Sequence, residues 1–284
     1  MPDLFTLAMG GLTNGAVYAA LGLALVIIYR ATRVVNFAQP ALALVCAYLA
    51  FTVNRATGGY WLGLAAALAA GAVLGALTER LLIRPLRSRG DDLAPVIVTL
   101  GLLLVLQAVC GMVWSAEPRS FPYAFDFRGS FFPASVFVVV AVVVVAGAVL
   151  LLFGATPLGL RLRAAALRPD VAGLLGVRVG LMLTIGWVLA AVVGALAGVL
   201  AAPPFLSPTV LDTVFVYALT AAVIGGLDNP VGTILGGFVL GVALSFVSGL
   251  LGPELVTLAA LAVLVLVLSL RPHGLFGSGV ARRV

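Results

Sequence analysis

Residues 154–180, GATPLGLRLRAAALRPDVAGLLGVRVG, separate two long apolar runs and gather four arginines, Arg161, Arg163, Arg168 and Arg178. Residues 136–153 precede this stretch and residues 181–202 follow it, each close to the roughly 20 residues needed to cross hydrocarbon. A basic loop between two spans is retained inside the cell, so the stretch is expected on the cytoplasmic side. Within it, residues 157–168 are compatible with a helix. Leu160, Ala164 and Leu167 share one row and Arg161, Ala165 and Arg168 the next. A second short turn begins at Pro169. Proline suits the first helical position, Asp170 complements the N-terminal dipole, and Gly176 provides a stop after Leu174 and Leu175. The spacing predicts a helical elbow that projects from the membrane.

The remainder of the chain repeats the theme of apolar runs. Its 284 residues are 63% hydrophobic and 9% charged, with a mean hydropathy of +1.25, far outside the range of a soluble domain. The expected fold is all-α: a polytopic transmembrane helical bundle, one membrane domain over residues 1–284 with the elbow at 154–180 as its main loop. Apolar runs fall at residues 4–29, 37–53, 61–83, 93–114, 133–153, 181–202, 213–227, 231–251 and 254–270. Those starting at 37, 213 and 254 are short for a straight crossing, which suits tilted, broken or re-entrant segments. The arginine groups at 30–33, 84–89, 161–178 and 271–283 all lie inside if nine runs cross, with the N-terminus outside and the C-terminus cytoplasmic. Eight crossings leave one basic group on the wrong side. Asp3 stands where a signal peptide would carry basic residues, so residues 4–28 are expected to remain as a span. The loop at 115–132 carries Glu117, Arg119, Asp126 and Arg128, whose charges cancel, and fits an external, folded connection.

Several functions are excluded by what is missing. The net charge of +6 comes from sixteen basic residues, all arginine and mostly flanking apolar runs. That is a signature of topology and anionic lipid, not of nucleic acid. Without a single lysine the chain has no Walker A loop and does not hydrolyse ATP by that route. His273 is the only histidine, at the cytoplasmic end, so neither a Ser/His/Asp centre nor a metal site is expected, and no cofactor. Cys46 and Cys110 lie within apolar runs, have no CxxC spacing, and fit small buried thiols.

Polar side chains at membrane depth are few: Thr13, Asn14, Tyr18, Asn36, Gln39, Gln107, Tyr217 and Thr220, none ionisable. No central carboxylate or histidine offers a proton relay, which disfavours a proton-coupled carrier. A lone amide such as Gln107 suits an interhelical hydrogen bond. Asn36 and Gln39 form a stronger pair, because the junction is already interrupted and Pro40 removes a backbone donor. Small-xxx-small pairs occur at Gly11/Gly15, Gly71/Gly75, Gly194/Gly198, Gly232/Gly236 and Gly237/Gly241, each fit for close helix packing. The run from Gly225 and Gly226 through Asp228, Asn229 and Pro230 to Gly232, Gly236 and Gly237 predicts a helix end, a tight turn and a restart.

With these residues in view, the chain resembles the inner-membrane permeases of ABC importers for branched-chain amino acids, nearly end to end. Asn36-Phe37-Ala38-Gln39 is similar to the family's NFAHG segment, and Ala172-Gly173-Leu174-Leu175-Gly176-Val177 to its cytoplasmic coupling region. The segment LTAAVIGGLDNPVGTILGGFVLG at 219–241 and Arg271-Pro272-His273-Gly274-Leu275-Phe276-Gly277, similar to an RPxGLFG ending, complete the match. The family's histidine and glycine in NFAHG are Gln39 and Pro40 here. The resemblance implies a second, homologous permease subunit, two cytoplasmic ATP-binding subunits, an extracytoplasmic substrate-binding protein and a place in a bacterial inner membrane. Under it, Arg161, Arg163, Arg168, Leu174 and Gly176 couple to the ATPase, while Asn14, Tyr18, Asn36, Gln39 and Thr220 lie near the solute path. Gly225, Gly226, Gly232, Gly236 and Gly237 break and pack the helices. The solute stays open among branched-chain amino acids, other amino acids, urea and short amides. A self-sufficient carrier or channel for a small polar solute is the alternative.

Overall fold

In hydrocarbon every backbone N–H and C=O must find a partner within the chain, and the helix is the local solution. The structure, a computed structural model, describes residues 3–32, 34–87, 93–125, 131–271 and 274–276. Arg33, Arg89, Asp126, Arg128, Pro272, His273, Gly277, Arg282 and Arg283 lie outside the described residues. The helices are α1 (Leu4–Thr32), α2 (Gln39–Thr57), α3 (Tyr60–Leu86), α4 (Ala94–Trp114), α5 (Phe131–Ala155), α6 (Pro157–Leu167), α7 (Pro169–Leu174), α8 (Val179–Ala201), α9 (Val210–Gly225), α10 (Pro230–Leu250) and α11 (Val256–Leu270). The last is preceded by a 3₁₀ turn, Pro253–Leu255. Eight of the apolar segments are long enough to span a membrane, and α9, with 16 residues, is shorter.

The bundle has two ends. At one, Arg30 at the end of α1 lies over the Phe153 ring near the end of α5. There too Arg84 near the end of α3 meets Gly180 at the start of α8, and Leu275 donates its N–H to Ile224 near the end of α9. The elbow of α6 and α7 belongs to this end. At the other, strand β1 (Arg119–Ser120) pairs antiparallel with β2 (Phe205–Leu206), and Leu7 of α1 receives the Ser245 hydroxyl of α10.

Helix α1 is the axis of the fold. Residues Leu21 to Ile28, apart from Gly22, are 0–2% exposed. Its tightest neighbour is α10, because glycines face each other across the crossing. A Cβ on Gly11 would lie 2.7 Å from the Val242 Cα, one on Gly15 2.8 Å from the Gly237 oxygen, and one on Gly237 2.6 Å from the Ala19 Cα. The same device recurs where Gly71 and Gly75 of α3 meet Ala191 and Trp187 of α8, and where Gly198 meets Ala43. Lipid tails are as apolar as leucine, so close backbone approach is what selects these crossings.

The connection from α1 to α2 is the principal irregularity. Gly194 of α8 faces both Gln39 and Ala24, so α2 begins level with Ala24, about 12 Å short of the end of α1 at 1.5 Å per residue. The chain therefore folds back into the bundle before helix restarts. It does so where protein, not lipid, surrounds it: Asn36, Ala38 and Gln39 are fully buried.

Glycine replacement tests the axis. Gly241→Leu drives a side chain into the backbone of Gly15 and is expected to cost about 1–3 kcal/mol. Gly101→Leu, on an α4 site with nothing within 4 Å, leaves stability unchanged. Thermal unfolding of the two purified variants in detergent, compared with the parent, checks the difference.

Candidate functional site: a polar cavity and the seal beneath it

A cavity of about 270 Å³ opens between α1, α3, α5, the end of α8 and the start of α9. Its polar lining is Thr13, Asn14, Tyr18, Tyr60, Tyr123 and Ser135; the apolar walls include Val17, Phe137, Leu200, Pro203, Pro204 and Val214. No lining side chain is charged. Helix periodicity places Asn14, Val17 and Tyr18 on one face of α1. The β1–β2 pair holds the rim, since the Phe121 N–H donates to the Pro204 oxygen at 2.9 Å. Rings brace the far wall: Tyr60 and Trp61 both meet Phe137 edge-on, at 6.4 and 5.6 Å.

Hydrogen-bonding capacity in this cavity is largely unspent. Thr13 returns its hydroxyl to Met9 at 2.9 Å. The Asn14 amide and the Tyr18, Tyr60 and Tyr123 hydroxyls have no hydrogen-bond partner among the described residues. Tyr18 is held by its ring, edge-on to Tyr217 at 5.2 Å, and Tyr217 in turn shares a hydrogen bond with Thr257 at 2.9 Å. An amide and several phenols aimed into an apolar pocket suit a small neutral or zwitterionic solute, which needs donors and acceptors but no net countercharge.

Beneath the cavity, toward the elbow, the packing closes. Asn36 Nδ2 donates to Gln39 Oε1 at 3.1 Å, Gln39 Nε2 donates to the Ala190 oxygen at 3.1 Å, and the Ala38 N–H donates to Asn36 Oδ1 at 3.0 Å. The Ala38 N–H is met by the Asn36 side chain and the Gln39 N–H by the Asn36 backbone oxygen, while Pro40, next in α2, lacks an N–H. Ala190 lies about 15 Å along α8 from the cavity wall at Leu200. A Cβ on Gly194 would collide with the Gln39 amide. Thr220 is also fully buried, but its hydroxyl returns to Val216 of its own helix at 2.8 Å. Thus Asn14 and Tyr18 line the cavity, Asn36 and Gln39 form a hydrogen-bonded septum below it, and Thr220 lies in the packed interior. Gln107 makes an interhelical hydrogen bond, to Asp212 at the start of α9.

The elbow presents two faces. Thr156 caps α6 by accepting from the Gly159 N–H at 3.1 Å, and Leu162 and Ala165 pack with Met182 against the body. Arg161 and Arg168 point outward, whereas Arg163 is half-buried and its Nε is shielded without a hydrogen-bond partner. Leu174 and Leu175 are 89% and 78% exposed. Gly176 ends α7 with φ +81°, a value that glycine adopts without strain. At the next turn, the Asn229 side chain accepts from the Gly232 N–H at 3.1 Å and its amide donates to the Phe276 oxygen at 2.9 Å. Gly225 and Gly232 touch backbone to backbone there, and Gly236 faces the Ala221 oxygen.

One ionisable group at depth escaped the sequence reading, which had none. Glu79 is 2% exposed. Residues Thr78–Ile83 of α3 are π-helical, which brings positions five apart over one another. Arg84 thereby reaches Glu79 through Nε at 3.1 Å and Nη2 at 2.9 Å, and Thr184 of α8 donates to the same carboxylate at 2.7 Å. A Thr-Glu step inside an apolar run with arginine five residues on was the available signal.

The fold and the cavity define a multi-pass membrane protein of the transport class. Residues 7–268 match the family described as "Branched-chain amino acid transport system / permease component", and the chain belongs to that family. It is 29% identical to the high-affinity branched-chain amino acid transport system permease protein BraD of Pseudomonas aeruginosa, over 98% of both chains. It is 30% identical to the probable branched-chain amino acid transport permease protein LivH of Methanocaldococcus jannaschii, covering 93% of this chain and 89% of that one. The high-affinity LivH permease of Escherichia coli K12 is 27% identical, over 94% and 93%. No solved structure matches.

Removing the septum amide is expected to be costly. Gln39→Leu leaves the buried Asn36 amide nitrogen unpaired, removes the side-chain bond to α8, and lowers stability by about 1–3 kcal/mol. Thr220→Val removes only a bond within one helix turn and changes stability by less than about 1 kcal/mol. Denaturation of the two variants in detergent separates these roles.

Proposed function

We propose that this chain is the membrane-spanning permease subunit of an ATP-driven importer for branched-chain or similar small amino acids. Residues 1–284 act as one transmembrane permease domain with residues 154–180 as its cytoplasmic coupling loop. The N-terminus and the cavity face outside, the C-terminus and the elbow face the cytoplasm, and the membrane is a bacterial inner membrane. The observation that carries this reading is the elbow surface. Leu174 and Leu175 stand almost fully exposed beside outward-pointing Arg161 and Arg168, at the end away from the cavity. An apolar ridge with cationic flanks on a loop beyond the spans is a surface for a soluble partner. A cytoplasmic ATP-binding subunit fits it, and the absence of lysine in this chain puts the nucleotide site elsewhere.

In this assembly a second, homologous permease and two ATP-binding subunits complete the membrane unit, and an extracytoplasmic binding protein delivers solute. Asn14 and Tyr18 meet the solute with their unspent hydrogen bonds, and the ring-lined wall accepts an aliphatic side chain. Asn36 and Gln39 hold the path shut toward the cytoplasm, with Thr220 packed beside it. Arg161, Arg163 and Arg168, with Leu174 and Gly176, take up the motion of the ATPase. The Gly225–Gly226 turn and the Gly232, Gly236 and Gly237 face pack α9, α10 and α1 backbone against backbone, so that they move together as one rigid body. The relatives' names, all branched-chain amino acid permeases, support this choice of solute.

Two measurements test the reading. Arg161→Gln with Arg168→Gln is expected to insert normally and to reduce solute-stimulated ATP hydrolysis of the assembled complex by at least about tenfold, the equivalent of about 1.4 kcal/mol of coupling. Asn14→Ala and Tyr18→Phe are expected to raise the KM for uptake while leaving basal ATP hydrolysis intact. Solute uptake by vesicles that hold only this chain, without ATPase subunits, overturns the proposal in favour of a self-sufficient carrier or channel.

A further inference from the structure

Arginine is retained on the side of a membrane that faces the cell interior, so arginines at the opposite end call for a cause. Arg55 and Arg119 lie at the end away from the elbow. Arg55 is exposed in the last turn of α2, and Arg119 belongs to β1. Two adjoining clefts of about 400 Å³ each share Phe51, Arg55 and Arg119 among their walls. Neither arginine pairs with a carboxylate among the described residues. Arg119 Nε donates to the Trp114 oxygen at 2.7 Å, which fixes the root of the guanidinium and leaves its terminal nitrogens uncommitted. A cation complements the negative end of α2, which accounts for Arg55 alone. It does not account for two arginines from separate elements meeting in one cleft.

The floor of the cleft is rigid. Tyr48 stacks on Trp114 at 5.0 Å, and Trp114 Nε1 donates to Thr52 at 2.8 Å. It is also joined to the cavity. Arg119 pairs with Leu206 across the two strands, and the Phe121 N–H donates to Pro204, a cavity wall residue. Pro122 lines the cleft and the adjacent Tyr123 lines the cavity.

We infer that carboxylates on an acidic lobe of the extracytoplasmic binding protein dock in the Arg55–Arg119 cleft. This rests on the importer reading above, which puts this end outside and assigns it such a partner. Charge complementarity selects the occupant, because two guanidinium groups without a carboxylate among the described residues take carboxylates through N–H donors that are still uncommitted. Charges at such a rim steer encounter and fix register. Docking there seats the partner's lobe over the mouth that Asn14 and Tyr18 line, and loads the strand pair that carries Pro204.

The test uses the complete transporter in vesicles of zwitterionic lipid, with and without an added anionic phospholipid, titrated with the cognate binding protein while ATP hydrolysis is measured. Arg55→Glu is expected to raise the half-saturating concentration of binding protein by about tenfold or more, with the loss shrinking as salt is added. Basal hydrolysis without binding protein stays at the parent level, which shows that the complex is intact. Arg55→Glu with Arg119→Glu deepens the loss. If the parent complex is stimulated by binding protein and Arg55→Glu saturates at the same concentration, the docking assignment is wrong while the importer reading stands. An effect that occurs only with anionic lipid assigns the cleft to headgroups and likewise overturns it. A parent complex that fails to respond to any binding protein overturns the importer reading itself.

Discussion

Close approach of backbones along α1 is the constraint on which the rest of the structure depends. A helix buried on all sides in a membrane cannot be driven there by hydrophobicity, since lipid would solvate it equally well. Gly11, Gly15, Gly237 and Gly241 let α1 and α10 come near enough for main-chain atoms to touch. Dispersion over that contact, summed through many atom pairs, replaces the missing hydrophobic force. Because α1 is then fixed, the face it turns toward α5 and the end of α8 becomes one wall of the cavity, and its Leu21–Ile28 stretch becomes the solid interior below.

The break between α1 and α2 follows from the same economy of polar groups. A chain that re-enters the bundle exposes main-chain donors at the new helix start, and hydrocarbon offers them nothing. Asn36 meets the Ala38 and Gln39 N–H groups through its side chain and backbone oxygens, and the Gln39 amide ties α2 to Ala190 of α8. One hydrogen-bonded cluster thus both meets main-chain groups at the break and lies below the cavity. The Gln39 to Ala190 bond adds a polar tie to a contact that the backbone approach of Gly198 to Ala43 already makes.

The two ends of the molecule differ in charge chemistry. At the elbow, the outward-pointing arginines Arg161 and Arg168 stand beside the bare leucines Leu174 and Leu175. The Glu79–Arg84–Thr184 cluster anchors the end of α3 to the start of α8 just behind that elbow, so displacement of the elbow bears directly on α8, the helix that carries Ala190. At the far end Arg55 and Arg119 stand over the strand pair that shapes the cavity rim. Membership of the branched-chain amino acid permease family agrees with a multi-pass helical chain that holds an uncharged polar cavity.

Much of this was legible along the chain. Apolar runs located the spans, Pro157 and Pro169 located the elbow helices, and the Asn36–Gln39–Pro40 step marked the break, because each signal is local: hydropathy, a missing N–H, a turn residue. Polarity alone pointed to Asn14 and Tyr18, which line the cavity, but pointed equally to Thr220, which only bonds its own helix. Glu79 was missed because its partner is brought into reach by a π-helical turn that hydropathy does not register. The direction of each arginine in the elbow, outward for Arg161 and Arg168 and inward for Arg163 Nε, likewise awaited the packing of α6 on α8. The sequence by itself determined how many helices form and where they stop, since those depend on a residue and its near neighbours. Only the tertiary structure decided which polar groups face space and which are already satisfied, since that depends on residues far apart in the chain that meet across a crossing.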